Sequence, residues 1–352
     1  MGKLTKALKQ KTDDDAHVRL LRTHERELGT LKARLLQSEQ RRKQAEQDLW
    51  TVEKRQDIFE SFGTPKGVDL RYVPRKASGQ ATAIIVLSDW HVEETVDPES
   101  VDGFNEYNLE IAERRIKKTF ENSLVLLESA RHLSPIKDLV VAVLGDMISG
   151  YIHEELMENN SLSPTEAVLF VEGLLIGGLD MLWKQAGVKS ITIPTCTGNH
   201  GRTTPKMRIA TDYANSYEWL AYKHLEKHYR QSNPAIQWKV GEGYHNWLEV
   251  QGHPIRFHHG HAIKYNGGIG GPSISLRKSQ ASWDKARAAT GDICGHLHTH
   301  IRDGKCIVNN SLIGYGPFSL FVKAEPSPPS QTFVVYDRKR TRPVIVQEIW
   351  CD

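Results

Sequence analysis

Cysteine is scarce: Cys196, Cys294, Cys306 and Cys351 are spread through 352 residues without a CxxC pair. Such spacing gives no support to a disulfide scaffold or a cysteine zinc site. No run of about 18 apolar residues is present, and the opening MGKLTKALKQKTDDDAH has a basic start with no hydrophobic segment behind it. Neither a membrane span nor a secretory leader is therefore expected, and the expected location is the reducing cytoplasm. Charge of one sign is also lacking. The 46 basic and 43 acidic residues leave +3, and residues 1–60 carry that whole surplus. A large uniform positive field for nucleic acid is excluded, whereas a local groove for phosphates is not. No ordered cofactor-binding glycine motif points to redox chemistry.

What is present is the composition of a folded protein, 39% hydrophobic and 25% charged. Residues 1–62 form a charged arm. From His17 to Phe62 it holds Glu, Lys, Arg, Gln and Leu, no proline and a single glycine, Gly29, which predicts one or two long helices. An imperfect heptad places Leu21, Leu28, Leu35, Arg42, Leu49 and Gln56 at one seam position, with His24, Leu31, Ser38, Ala45, Val52 and Phe59 three residues later. Two readings follow: a coiled-coil arm that makes a homodimer, or a helix that packs on its own domain or stands alone as a polar helix. Residues 63–80, with Pro65, Gly67, Pro74 and Gly79, read as a linker, and residues 81–352 as the catalytic domain.

Within that domain ATAIIVLS (81–88), LVVAVLG (139–145) and VKSITIPTC (188–196) read as buried strands. Helical patterns over 105–133 and from Ser163 and Pro164 to about Lys184 alternate with them, which predicts an α/β domain. A helix from about Arg208 to Arg230, strands near 236–240, 245–250 and 254–259, and a helix from about Ser275 to Ala289 follow. TFVVYD and PVIVQEIW close the chain as expected edge strands.

Five fragments carry the chemistry: SDWH, GDMI, GNHG, HHGH and GHLH. Each puts a metal-capable group after a strand-like run or in a glycine turn. They hold Asp89 and His91; Asp146; Asn199 and His200; His259 and His261; and His296 and His298. Singly, none decides anything, since a lone Asp before a helix is as readily a cap and a lone His ordinary surface. In this order the fragments resemble the calcineurin-like metallophosphoesterase pattern of DxH, GD, GNH, a later His and a closing GHxH, over Ala81 to at least Leu312. The general character is closest to its DNA-repair nuclease and phosphodiesterase branches.

The resemblance implies a four-layer α/β/β/α sandwich with a helical N-terminal extension, and two divalent cations, Mn²⁺ first with Fe or Zn as alternatives. By the same resemblance Asp89, His91 and His298 hold the first ion, Asn199, His259 and His296 the second, and Asp146 bridges them. His200 faces substrate phosphate and protonates the leaving oxygen or stabilises its charge. Among the HHGH donors, His259 directly before Gly260 is preferred; His258 reads as packed or hydrogen bonded, and His261 as facing substrate. Gly198 and Gly295 allow the backbone close to the centre.

Two departures concern supporting groups. Met147, Ile148 and Ser149 follow GD where many relatives carry an acidic or amide residue, and Gly201 follows GNH where Asp or Glu is common. The expected reaction is hydrolysis of a phosphodiester, with DNA the favoured substrate on the strength of Arg202, the basic positions Arg114, Arg115, Lys117 and Lys118, and the resemblance. A phosphomonoester or small cyclic nucleotide is the alternative substrate. A metal-stabilised interaction module is the non-enzymatic one.

Overall fold

A computed structural model of the chain describes residues 2–61, 79–264, 271–321 and 323–352. It divides into two units, Met1–Pro74 and Arg75–Asp352. The first contributes one continuous helix, α1 (Gly2–Ser61). The linker expected at 63–80 lies almost wholly outside the described residues.

In the second unit, the apolar runs read from sequence become the parallel centre of a sheet. They are β1 (Ala81–Leu87), β2 (Ile136–Val143) and β3 (Ser190–Thr195), followed by β4 (Ile236–Val240). Two crossovers are α2 (Leu109–Arg131) and α4 (Pro164–Gln185), with the short α3 (Glu154–Asn159) between β2 and α4; α5 (Tyr217–Ser232) joins β3 to β4. The second sheet takes β5 (Asn246–Val250), β6 (His253–Phe257), β7 (Gly291–Cys294), β8 (Ile301–Asp303) and β9 (Cys306–Val308), with α6 (Ser273–Asp284) between β6 and β7. After α7 (Pro317–Phe321), the chain returns to the first sheet as β10 (Ser330–Asp337) and β11 (Ile345–Trp350).

The strand orders are β11-β10-β1-β2-β3-β4 and β5-β6-β7-β9-β8. Period-two alternation along β1 shows why the unit is layered. Ala83, Ile85 and Leu87 join a core with Ile116 and Phe120 of α2, Leu175 and Leu179 of α4 and Tyr222 of α5. Ile84 and Val86 face the other way, against Ile255, Phe257, Ile293 and Ile307 of the second sheet. On the far side of that sheet, Cys294, Cys306 and Val308 pack with Leu276 of α6. Helix, sheet, sheet, helix is the four-layer sandwich of the calcineurin-like fold.

Local differences from the sequence reading have identifiable causes. The helix expected from Arg208 begins at Tyr217, because Ser216 caps it by accepting from the Trp219 amide at 3.4 Å. Residues 202–216 are instead a loop with one 3₁₀ turn. β10 is an interior strand, antiparallel to β1 on one side and β11 on the other, so of the two closing strands β11 alone lies at an edge. The helix α3 and the three-residue β8 were too short to show a period. Among the described residues, no helix is long and apolar enough to cross a membrane.

Candidate metal centre

Parallel strands end at the same side of a sheet, and loops leaving those ends converge there. Asp89 and His91 follow β1, Asp146 follows β2, and Asn199 and His200 follow β3. From the facing sheet, His259 and His261 follow β6, and His296 and His298 follow β7, which runs parallel to β6. Backbone hydrogen bonds tie the loops together. The Asp89 amide donates to Gly145 O at 3.0 Å, the His91 amide to Asp146 O at 3.2 Å, and the Gly295 amide to His259 O at 2.8 Å. The His296 amide crosses between sheets to the Asp89 carboxylate at 3.0 Å, and the His200 amide donates to Asp146 Oδ1 at 2.8 Å.

Two groups of ligand atoms result, Asp89 with His91 and His298, and Asp146 with His259 and His296. Within each group the atoms lie within 4.8 Å of one another. Five of these six residues, all but His259, have left-handed backbone, with φ between 49° and 70°. Non-glycine residues seldom adopt it, Asp and His more readily than most, and such strain gathers at functional sites. Close approach is also needed at glycine. A Cβ on Gly198 would fall 2.0 Å from Asp146 Oδ1, and one on Gly295 2.3 Å from Asp89 Oδ2.

The hydrogen bonds fix which imidazole nitrogen is free. Ser149 Oγ donates its proton to Glu94 Oε2 at 2.8 Å, so it must accept from His91 Nδ1, also at 2.8 Å. His259 Nδ1 has the Leu144 carbonyl at 2.8 Å and can only donate to it. Both rings thus turn Nε2 toward another partner, and a bound cation would take the place of any proton held there. His91 Nε2 and Asn199 Oδ1 are buried and without a hydrogen-bond partner among the described residues. His259 Nε2 lies 2.8 Å from Asp146 Oδ2, an arrangement that calls for positive charge. Buried nitrogen and oxygen donors of this kind fit divalent transition-metal ions.

The electrostatics agree. Burial pushes the Asp89 carboxyl up, but the hydrogen bond and charge of His298, joined by His259, hold the group below its ordinary value. Asp146 is likewise held well below the usual range, against burial, chiefly by His259 and His200. Burial lowers His259, yet Asp146 raises it to about 10. His296 and His261 are driven to about 4 and about 3 by burial and then by His259, so both stay neutral.

His200 stands apart from both groups. Its Nδ1 donates to the Ser149 carbonyl at 3.1 Å, and its ring lies 4.8 Å from that of His91 and 6.2 Å from that of His153. The His261 ring is 5.5 Å from that of His259 and 5.0 Å from that of Tyr244. His258 is turned away: its Nε2 meets Asp292 Oδ1 at 2.8 Å. Arg202 is occupied by its own loop, donating to the carbonyls of Asn199 at 2.7 Å, Thr204 at 3.1 Å and Pro205 at 3.4 Å. Lys206 and Arg208 are exposed. Tyr265 and Asn266, which with the glycines after them read from the sequence as a lip that admits a polymer or shields a small substrate, lie outside the described residues.

Two buried carboxylates escaped the sequence reading. Glu218, in the first turn of α5, accepts from the Met147 amide at 2.6 Å and the Gly198 amide at 2.7 Å, joining the loops that carry Asp146 and Asn199. Burial, then the Asp146 charge, raises it to about 8. Glu93 accepts from the Ser149 and Gly150 amides at 2.8 Å each, and burial raises it to about 7. The missing acidic residues after GD and GNH were the available signal. A Cβ at Gly201 would meet Glu218 Cγ at 2.7 Å, so Glu218 occupies the space that a side chain at 201 would need.

No family model matches the chain, and no curated protein matches it. Solved structures do. One is a predicted phosphoesterase from Streptococcus pneumoniae, with 14% identity over 76% of this chain and 97% of that one and a TM-score of 0.27. Another is Vps29 complexed with Zn²⁺ from Entamoeba histolytica, with 12% identity, 77% and 99% coverage and a TM-score of 0.30. A hypothetical protein from Pyrococcus horikoshii has 10% identity, 77% and 89% coverage and a TM-score of 0.37.

Proposed function

We propose that the chain is a two-metal phosphoester hydrolase of the calcineurin-like type, acting on a small phosphoester, either a phosphomonoester or a cyclic-nucleotide-like phosphodiester. The observation that carries the reading is the pair of Asp/His groups on facing strand ends, with His200 beside them. Asp89, His91 and His298 would hold one cation. His259, His296 and Asn199 would hold the second, with Asp146 shared. Bound there, divalent cations supply Lewis-acid neutralisation of phosphate charge and a more acidic attacking water.

The remaining chemistry belongs to the chain. Ser149 and Leu144 keep the rings of His91 and His259 in the tautomer that points Nε2 inward. The Ser149 carbonyl does the same for His200, whose Nε2 is free to hold a proton at the leaving oxygen or to stabilise its charge. His261, held neutral, is placed to donate a hydrogen bond to a phosphate oxygen without adding charge.

The small-substrate reading displaces the nucleic-acid one because two of the cations that favoured a polymer are used inside the fold. Arg202 is bound to its own loop. Arg115 is buried, ion paired with Asp352 at 2.7 Å and donating to the carbonyls of Leu312 and Ile313. Only Arg114, Lys117 and Lys118 of that group are exposed, on α2. The test is a Mn²⁺-, Fe- and Zn-loaded activity panel with p-nitrophenyl phosphate, bis-p-nitrophenyl phosphate, a cyclic dinucleotide, single- and double-stranded DNA, and RNA. Hydrolysis confined to the small esters supports the reading. Cleavage of the polymers would replace it with the nuclease, and a metal-loaded protein inert on all of them would leave only the interaction module.

A further inference from the structure

The helix α1 runs for 60 residues, about 90 Å at 1.5 Å per residue. Every one of its residues whose burial is described is exposed. Leu21, Leu28, Leu35 and Leu49 recur at one heptad position, with Leu31, Val52 and Phe59 at the other. These seven are between 51% and 82% exposed. A stripe of large apolar groups along one helix is stabilised only by a partner that covers it.

The residues flanking the stripe identify the partner. We propose that α1 forms a parallel, in-register two-stranded coiled coil with a second copy of this chain. In that arrangement each residue just before the first seam position faces the residue five places later on the other helix. The facing pairs are Glu27 with Lys32, Arg34 with Glu39, Arg41 with Glu46, and Arg55 with Glu60, all of opposite charge. Asp48 with Glu53 is the one repulsive pair in the series. Running the helices antiparallel would set the positions after the second seam residue against one another. Those are Glu25, Lys32, Glu39, Glu46, Glu53 and Glu60, five of the six acidic, so like charges would meet.

Of the four polar breaks in the stripe, His24 and Ser38 at the second seam position and Arg42 and Gln56 at the first, the latter two fit the same assignment. Arg42 and Gln56 are polar groups at the first seam position, a device that fixes register and strand number at some cost in stability. Arg42 Nε already lies 3.6 Å from Glu46 Oε1 of its own helix, which offsets the meeting of Arg42 with its copy. The long aliphatic stem of Arg42 can cover the seam while its head reaches water.

The full-length chain tests this directly. Light scattering at micromolar concentration is expected to give about twice the 39.9 kDa chain mass. Leu28→Asp with Leu35→Asp is expected to give the single-chain mass while the thermal transition of the remaining unit is kept. Direction is read by Leu28→Cys. Because all four native cysteines are buried, oxidation should link the two copies through residue 28 only if the helices are parallel and in register. Arg34→Glu with Arg41→Glu alters four interhelical pairs and should raise the dimer dissociation constant by about tenfold or more at low salt. Mixing it with Glu39→Arg, Glu46→Arg should restore association. A wild-type monomer, a dimer that survives the two Leu→Asp changes, or a dimer that does not cross-link through residue 28 would each overturn the proposal.

Discussion

The proton positions on three imidazoles decide what the centre can do. His91, His259 and His200 each commit Nδ1 to an oxygen from the β2 strand end or the loop after it, Ser149 Oγ, Leu144 O and Ser149 O respectively. In two of them the ring joins an Asp/His group, and in the third it belongs to neither. His200→Ala is therefore expected to keep bound metal near the wild-type amount while lowering turnover by about 10²- to 10⁴-fold, the usual range for losing a general acid. Equilibrium metal titration alongside initial rates checks this, and parallel losses of both would put His200 among the ligands. Glu218 acts one step further out. Glu218→Gln keeps one acceptor for the amides of Met147 and Gly198 but not both, leaving a buried N–H unsatisfied at a cost of about 1–3 kcal/mol. Urea unfolding should show that loss together with weaker metal binding.

At the level of elements, the hydrophobic patterns of β1, β2 and β3 and the donors at their ends were legible in the sequence, because buried parallel strands are continuous apolar runs and the loops follow at once. Less legible was anything set by distant partners. Nothing local distinguishes Glu218 from any acidic residue in a first helical turn, and its role exists only because α5 returns beneath the loops after β2 and β3. Arg202 looked free because its three acceptors are backbone carbonyls, which no side-chain pattern reveals. The second sheet hides a similar case. Arg256 on β6 is wholly buried, with Asp292 on β7 against it and Asp284 at 3.2 Å. Burial would raise the Asp292 carboxyl, but His258 and then Arg256 hold it well below its ordinary value. A carboxyl lowered on folding contributes stability that is full above its unfolded value of about 3.9 and is lost as pH falls towards the folded one. Thermal melts should thus drop steeply below about pH 4. Asp292→Asn should flatten that acid limb and cost about 3 kcal/mol at neutral pH, since it strips a partner from a buried guanidinium. An unchanged acid limb would remove Asp292 as its source.

Across the whole second unit, the two sheets are joined by a shared apolar layer and, at one end, by the loops that carry the Asp/His groups. The Asp89 carboxylate of the first sheet takes the His296 amide of the second, and Asp146 faces His259 across the same gap. Cations held between them would bind the folded state and not the unfolded chain, adding stability by mass action, about 2.7 kcal/mol for each site at a hundredfold excess over its dissociation constant. Everything proposed for this unit depends on that shared centre. Its most direct test is the metal content of the full-length protein after loading with Mn²⁺ and desalting, measured beside Asp146→Asn. Two ions per chain in the wild type, with the substitution depleting both positions, is the expected result. A wild type that retains no metal, or an Asp146→Asn protein that retains as much as the wild type, would contradict it.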